Sequence, residues 1–205
     1  VGRLRTLRRR VGGLGRRGAV GVDDAGGLAV DALIRARYLV TMLVEPVALT
    51  GQRWVSLEPL DREHLPEIDA VAADGELGGL WFTGAPKAGS AEQWVDARLT
   101  VQSPTTGLTF VVRDKGGTLI GSSSYLNVDG PNRRLEIGYT WYVAPVRRTG
   151  VNAETKLLML GHAFDELGCV AVEFRTHFFN AASRAAIERL GAKLDGVLRS
   201  HQLLP

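Results

Sequence analysis

A single cysteine, Cys169, excludes a disulfide framework and any cysteine-based zinc cluster, since both need several thiols. Cys169 lies in an apolar run, which reads as a buried structural thiol rather than a nucleophile. The histidines His64, His162, His177 and His201 show no metal-ligand spacing, so no metal is expected. No apolar run approaches the ~18 residues of a membrane span. No hydrophobic segment of the secretory kind follows the N-terminal arginines. The default compartment is therefore the cytoplasm, with no membrane partner.

Positive charge is scarce where a nucleic-acid-binding domain would need it. The chain carries net +3, but residues 1–41 hold nine Arg and three Asp, which leaves the remainder at −3. The basic character belongs to a leader, and nucleic acid is not the expected partner of the domain. The length of 205 residues with 45% hydrophobic content suits one domain plus some extra chain. The leader begins V-G-R-L-R-T-L-R-R-R-V-G-G-L-G-R-R-G and keeps no hydrophobic period. It reads as a basic arm, as a disordered extension, or as sequence upstream of a true start at Met42, the first methionine. The last reading is preferred, which places the domain at 42–205.

From Gln52 the order of elements is legible. Trp54 to Leu60 reads as a strand. Asp61 caps a helix to Ala73. Residues 74–89 form a Gly-rich loop carrying Trp81 and Phe82. Ser90, with Gln93 at capping-box spacing, opens a helix to about Val101. Leu108–Arg113 and Thr118–Val128 form a hairpin across D-K-G-G, and D-G-P-N turns the chain into a strand over Arg134–Val143. A helix spans Asn152–Leu167 and stops at Gly168. A strand at Val170–Thr176, a helix at Ala182–Leu190 and a strand at Lys193–Arg199 complete the chain. The order β-α-α-β-β-β-α-β-α-β predicts an α+β fold with a mixed sheet. The passage Arg134–Thr176 predicts one parallel pair with a right-handed crossover.

The stretch A-P-V-R-R-T-G-V-N-A-E-T-K, Ala144 to Lys156, joins strand to helix and has the makings of a pyrophosphate site. Glycine lets backbone approach an anion closely, and the first N–H groups of a helix lack internal partners. The helix dipole adds roughly 0.3–1 kcal/mol. Arg147 and Arg148 supply charge-assisted hydrogen bonds.

These residues, with L-E-I-G-Y-T-W-Y-V before them and N-A-A-S-R-A-A-I-E-R-L-G-A after, resemble the GNAT N-acetyltransferases, in particular the branch of the ribosomal-protein-alanine acetyltransferases. The resemblance covers Trp54 to the end. It implies an acyl-CoA N-acyltransferase fold and acetyl-CoA as acetyl donor. The family's loop pattern falls on Arg147, Gly150 and Asn152, with Asn152 departing from the usual small residue but able to cap the helix. The backbone of Arg148, Thr149, Gly150, Val151 and Asn152 is then expected to cradle the diphosphate. The resemblance also implies that Asn180 contacts pantetheine and that Ser183 lies near the sulfur. The tyrosine general acid of other branches is replaced by Ile187, which leaves Ser183, a water or another tyrosine for that task.

Acetyl transfer needs a neutral amine, so a base helps. Glu136 is the candidate, and the alternative is a solvated or salt-bridged strand carboxylate, with Arg133 or Arg134 as its partner. On simple alternation it shares a face with Gly138 and Thr140. A free backbone N–H near Tyr142 or Val143 is expected to polarise the thioester carbonyl. Trp81, Phe82 and Tyr125 are candidates for the acceptor wall. The expected acceptor is a primary amine, on a protein N-terminus or a small molecule, attacked directly in a ternary complex. The alternative is an inactive acyl-CoA-binding module. The resemblance further implies one more strand between those at Val170–Thr176 and Lys193–Arg199, and no strand pattern follows Arg199. Open backbone edges there, or their pairing with another copy in a homodimer, are the expectation.

Overall fold

Strand-forming and helix-forming stretches alternate as the residue pattern predicts, and they assemble around one sheet. The computed structural model describes residues 2–8, 42–73 and 83–201, the first of these as backbone. The strands are β1 (Gly2–Arg8), β2 (Leu49–Thr50), β3 (Val55–Pro59), β4 (Leu108–Asp114), β5 (Leu119–Asp129), β6 (Arg134–Tyr142), β7 (Ala171–His177) and β8 (Lys193–Leu198). The α-helices are α1 (Leu65–Ala73), α2 (Ala91–Val101), α3 (Val151–Gly161) and α4 (Ala181–Arg189). The sheet order is β2-β3-β4-β5-β6-β7-β1-β8. Among the described residues only β6 and β7 pair in parallel, and α3 is the crossover between them, as predicted.

The slot between β7 and β8, expected to be open, is filled. Strand β1 lies in it, antiparallel to both, with Gly2 opposite His177 and Leu198. This corrects the expectation that the edges stand unpaired or pair with another copy. Two adjacent ladders of free N–H and C=O groups offer an extended segment pairing on both sides. Residues 9–41 lie outside the described residues.

Two apolar clusters sit on opposite faces of the sheet. Leu135, Ile137, Val151, Met159, Ala163, Phe174 and Ile187 pack under α3 and α4. Leu60, Ile68, Trp94, Val95, Val111 and Trp141 pack under α1 and α2, with Trp94 edge-on to Trp141 at 6.0 Å. Each fully buried large side chain contributes about 1.5–3 kcal/mol of transfer free energy. Cys169 lies in the first cluster, fully buried, with its Sγ 3.3 Å from Met42 Sδ.

Local signals were realised unevenly. Asp61 caps a short 3-10 turn, Arg62–His64, that leads into α1, and its box is closed by His64 Nδ1, which accepts from the Asp61 N–H at 2.9 Å. Ser90 does not cap α2. Its hydroxyl donates to Lys87 O at 2.9 Å and accepts from Lys87 N, so the Ser90–Gln93 box does not form. The helix expected over Asn152–Leu167 instead ends as α-helix at Gly161 and continues as a π turn over His162–Glu166. Gly168, at φ 68°, ends it; only a residue without Cβ takes that conformation freely.

Candidate active site

Strands β6 and β7 pair over three residues, Arg134–Glu136 with Ala171–Glu173. Beyond Glu136 they part, and a cleft of about 800 Å³ opens between them. It is lined from β6 by Gly138, Thr140 and Tyr142, from the turn by Arg147, from α3 by Asn152 and Lys156, and from α4 by Asn180 and Ser183. The sequence elements that resembled a cofactor site therefore converge on one space.

A β-bulge sits at the head of this cleft. Ser122 pairs with Trp141 and Ser124 with Gly138, so Ser123 faces both Tyr139 and Thr140. Tyr139 takes φ 47°, an uncommon conformation for a bulky residue. The extra residue reverses the alternation. Tyr139 turns to the α2 face, where its ring lies 3.9 Å from the Arg98 guanidinium, and Thr140 turns to the α3 face. Glu136 and Thr140 therefore do not share a face, contrary to simple alternation. A bulge also leaves backbone groups out of the ladder. The Val143 N–H is not such a group, because it donates to Ile120 O at 3.0 Å. The donor expected near Tyr142 and Val143 is therefore not the Val143 N–H.

The turn before α3 fits a diphosphate. Among the described residues the N–H groups of Arg148, Thr149, Gly150 and Asn152 have no hydrogen-bond acceptor. Arg148 adopts φ 63°. The Thr149 hydroxyl donates to Val146 O at 2.6 Å and accepts from the Val151 N–H. Arg147 lines the cleft while its Nε donates to Tyr142 O at 3.0 Å. The helix N-cap is Gly150, not Asn152. Gly150 has an ordinary helical φ, and a Cβ there would meet Trp54 Nε1 at 2.3 Å. It is small because Trp54 packs on it. Glu154 faces away from the cleft and accepts from the N–H groups of Arg53, Trp54 and Val55. Burial opposes its ionisation, but these backbone donors hold its carboxyl below the usual range.

Asn180 caps α4: its Oδ1 accepts from the Ser183 N–H at 3.0 Å. The cap leaves Asn180 lining the cleft, so capping and ligand contact are compatible. Ser183 lines the cleft too. Tyr125, expected at the acceptor wall, borders the cleft from the core side and has no exposed surface. Its hydroxyl donates to Met159 O at 2.6 Å, and burial pushes its ionisation far above the usual range. Trp81 and Phe82 lie outside the described residues.

Glu136 is 6% exposed and lines the cleft. Its carboxylate accepts from Asn127 Nδ2 at 2.7 Å and lies 3.3 Å from Arg175 Nε. Burial pushes its pKa up, Arg175 and Asn127 partly offset this, and Glu173 nearby pushes it up again. Arg175 also bridges to Glu173 at 3.2 Å.

Lys156 has no counterpart among the residues picked out in the sequence. It is 4% exposed, yet its Nζ reaches the cleft and donates to Ser123 Oγ at 2.7 Å and Thr140 Oγ1 at 2.6 Å. Those hydroxyls lie 2.8 Å apart, so the three groups form a closed triangle across the bulge. Burial alone lowers its pKa from 10.5 to about 7. The available signal was a lysine three residues before Met159 and seven before Ala163, on the helix face that packs on the sheet.

No group of His, Cys, Asp and Glu among the described residues could hold a metal ion, and none of their helices is long and apolar enough to cross a membrane.

Residues 55–193 match the model of the acetyltransferase (GNAT) domain. A protein of Bacillus subtilis named as a ribosomal N-acetyltransferase, YdaF, is 28% identical over 151 residues, which span 70% of this chain and 78% of the relative. A GNAT N-acetyltransferase from Brucella melitensis superposes with a TM-score of 0.70 at 28% identity, over 78% of this chain and 74% of that one. Mycobacterium smegmatis RimJ, solved with CoA-disulfide, shares the fold with a TM-score of 0.65 at 18% identity, over 78% of this chain and 81% of that one. With a matching family model over most of its length and the cleft that such a domain requires, the chain belongs to the GNAT family and is an acetyl-CoA-dependent N-acetyltransferase.

Proposed function

We propose that the protein acetylates the primary amine of a protein N-terminus by direct attack within a ternary complex. The observation that carries this reading is the parting of β6 from β7 beside a turn whose N–H groups lack acceptors. Acetyl-CoA, when bound, supplies the thioester that an amine opens. Arg147, Arg148 and the N–H groups of Arg148, Thr149, Gly150 and Asn152 bind its diphosphate, and Asn180 and Ser183 border the arm that reaches the bulge. The β-bulge at Tyr139–Thr140 is where a backbone N–H can donate to the carbonyl as charge develops there.

Glu136 takes the proton that the amine loses. An α-amine of pKa about 8 is already about 10% neutral near pH 7, so a base or a water chain to it completes the task. The name of the Bacillus relative supports a protein substrate.

Calorimetric titration of acetyl-CoA into the full chain tests the donor site, with Arg147→Ala and Arg148→Ala as controls. Saturable binding, weakened about tenfold by each change, is expected. A folded wild-type protein that binds no acetyl-CoA overturns the reading. Release of free thiol on addition of N-terminal peptides then distinguishes an enzyme from an inactive acyl-CoA-binding module.

A further inference from the structure

A lysine enclosed in a protein interior normally answers a carboxylate. Lys156 does not. Its two hydrogen bonds go to neutral hydroxyls, Ser123 and Thr140, and among the described residues no carboxylate contributes to its titration. An ammonium has three donors, so one N–H is left over on a side chain that lines the cleft. The triangle with Ser123 and Thr140 fixes Nζ to the two strands that form the bulge. It lies on the α3 face, on the same side as Asn152, Asn180 and Ser183, whereas Glu136 lies on the opposite face. No hydrophobic side chain of similar length would need either hydroxyl, so packing alone does not account for the arrangement.

We infer that Lys156 is the proton donor to the leaving thiolate, a catalytic role that rests on the acetyl-transfer reading above. The electron count is simple. Attack by the amine forms the C–N bond and breaks the C–S bond, with the C–S pair passing to sulfur. Lys156 gives that sulfur a proton, the amine's surplus proton leaves towards Glu136, and Lys156 recovers its proton from water. A donor of pKa about 7 is well matched to this work near neutral pH. The titratable groups around it do not disturb that match. On α3, Glu154 is turned to the backbone at Arg53–Val55. From β5, Tyr125 is bonded to Met159 O. From β6 come Tyr142, whose enclosed hydroxyl has its ionisation pushed far up by burial, and Glu136, which is paired with Arg175. From the turn, Arg147 holds Tyr142 O.

The test is a side-chain NMR titration of protein labelled at lysine, which has four signals to resolve, from Lys87, Lys115, Lys156 and Lys193. Lys156→Arg identifies the signal by its loss. The expected result is a midpoint near 7 in the free protein. That midpoint should lie about one unit higher with coenzyme A bound than with desulfo-coenzyme A bound, because only the former presents a sulfur that can carry negative charge. Equal midpoints with the two ligands overturn the inference, and the wild-type protein alone decides this. If calorimetry shows no acetyl-CoA binding at all, the acetyl-transfer reading falls first, which is a different result. In turnover, Lys156→Met should lower kcat about 100-fold while the KM for acetyl-CoA changes less than about threefold, and the alkaline limb of the kcat–pH profile should disappear. Lys156→Arg, whose charge does not titrate, should move that limb beyond the measurable range. A limb unchanged in both variants also overturns the assignment.

Discussion

The sheet contains two places where neighbouring core strands could fail to meet, and it treats them in opposite ways. Strands β6 and β7 pair for three residues and then part, leaving a cleft. Strands β7 and β8 do not pair at all, and β1 closes the space between them along its whole length. The difference lies in what lines each gap. Beside the first stand a bulge, the helix termini of α3 and α4, and polar side chains that answer backbone groups or await a ligand. The second would expose two bare ladders, each with its own unpaired donors and acceptors. A gap in a sheet persists where other chemistry satisfies its walls, and otherwise it is filled.

Breaking the filled gap should have the largest effect. Leu4→Pro with Thr6→Pro removes two N–H groups from the middle of β1, where proline is poorly tolerated. The melting temperature should fall by on the order of 10 °C, as a loss of a few kcal/mol would produce, and light scattering should report self-association through the freed edges. An unchanged melting curve would show that β1 does not hold the sheet together.

The open gap is probed next through its chemistry. Glu136→Gln keeps the shape of the side chain but removes its basicity, and kcat should drop about 100-fold with little change in the binding of acetyl-CoA. Equal kcat would assign Glu136 to structure alone.

Glu173→Gln should act more gently. Its negative charge helps hold the Glu136 pKa up, so its removal should shift the acidic limb of the kcat/KM–pH profile to lower pH. A limb that moves up instead would mean that the loss of Arg175 pairing matters more than the charge.

The last effect is thermodynamic. In the folded protein Lys156 titrates near 7 rather than 10.5, so between those values the unfolded chain binds one more proton than the folded one. Stability then rises with pH across this window, by up to about 1.4 kcal/mol per unit from this group. Below 7 the folded protein carries the whole cost of the buried ammonium, and above 10.5 it carries none. Lys156→Met should flatten that slope in denaturant titrations at pH 7.5, 8.5 and 9.5.

Much of this could be read from local signals. The D-K-G-G hairpin formed as expected, with Asp114 Oδ1 accepting from the Gly116 and Thr118 N–H groups. The turn before α3, the stop at Gly168 and the convergence of Arg147, Asn152 and Asn180 on one cleft also follow from residue types and order. The remainder depends on partners distant in sequence. Nothing in L-E-I-G-Y-T-W-Y-V marks Tyr139 as the residue that takes a positive φ, because the bulge is fixed by pairing with Ser123. Lys156 reads as a surface lysine until Ser123 and Thr140, 33 and 16 residues away, close over it. The place of β1 was still less legible, since its partners lie at the other end of the chain.

The lone cysteine has a practical consequence. Cys169 is fully enclosed beside Met42, and burial pushes its thiol up to about 11, so the folded protein offers almost no reactive thiolate. A disulfide reagent in the assay therefore counts product thiol against a silent background. In the absence of substrate, the same reagent becomes a clock for the opening of the first apolar cluster, with each labelling event recording one excursion of the chain away from its folded state.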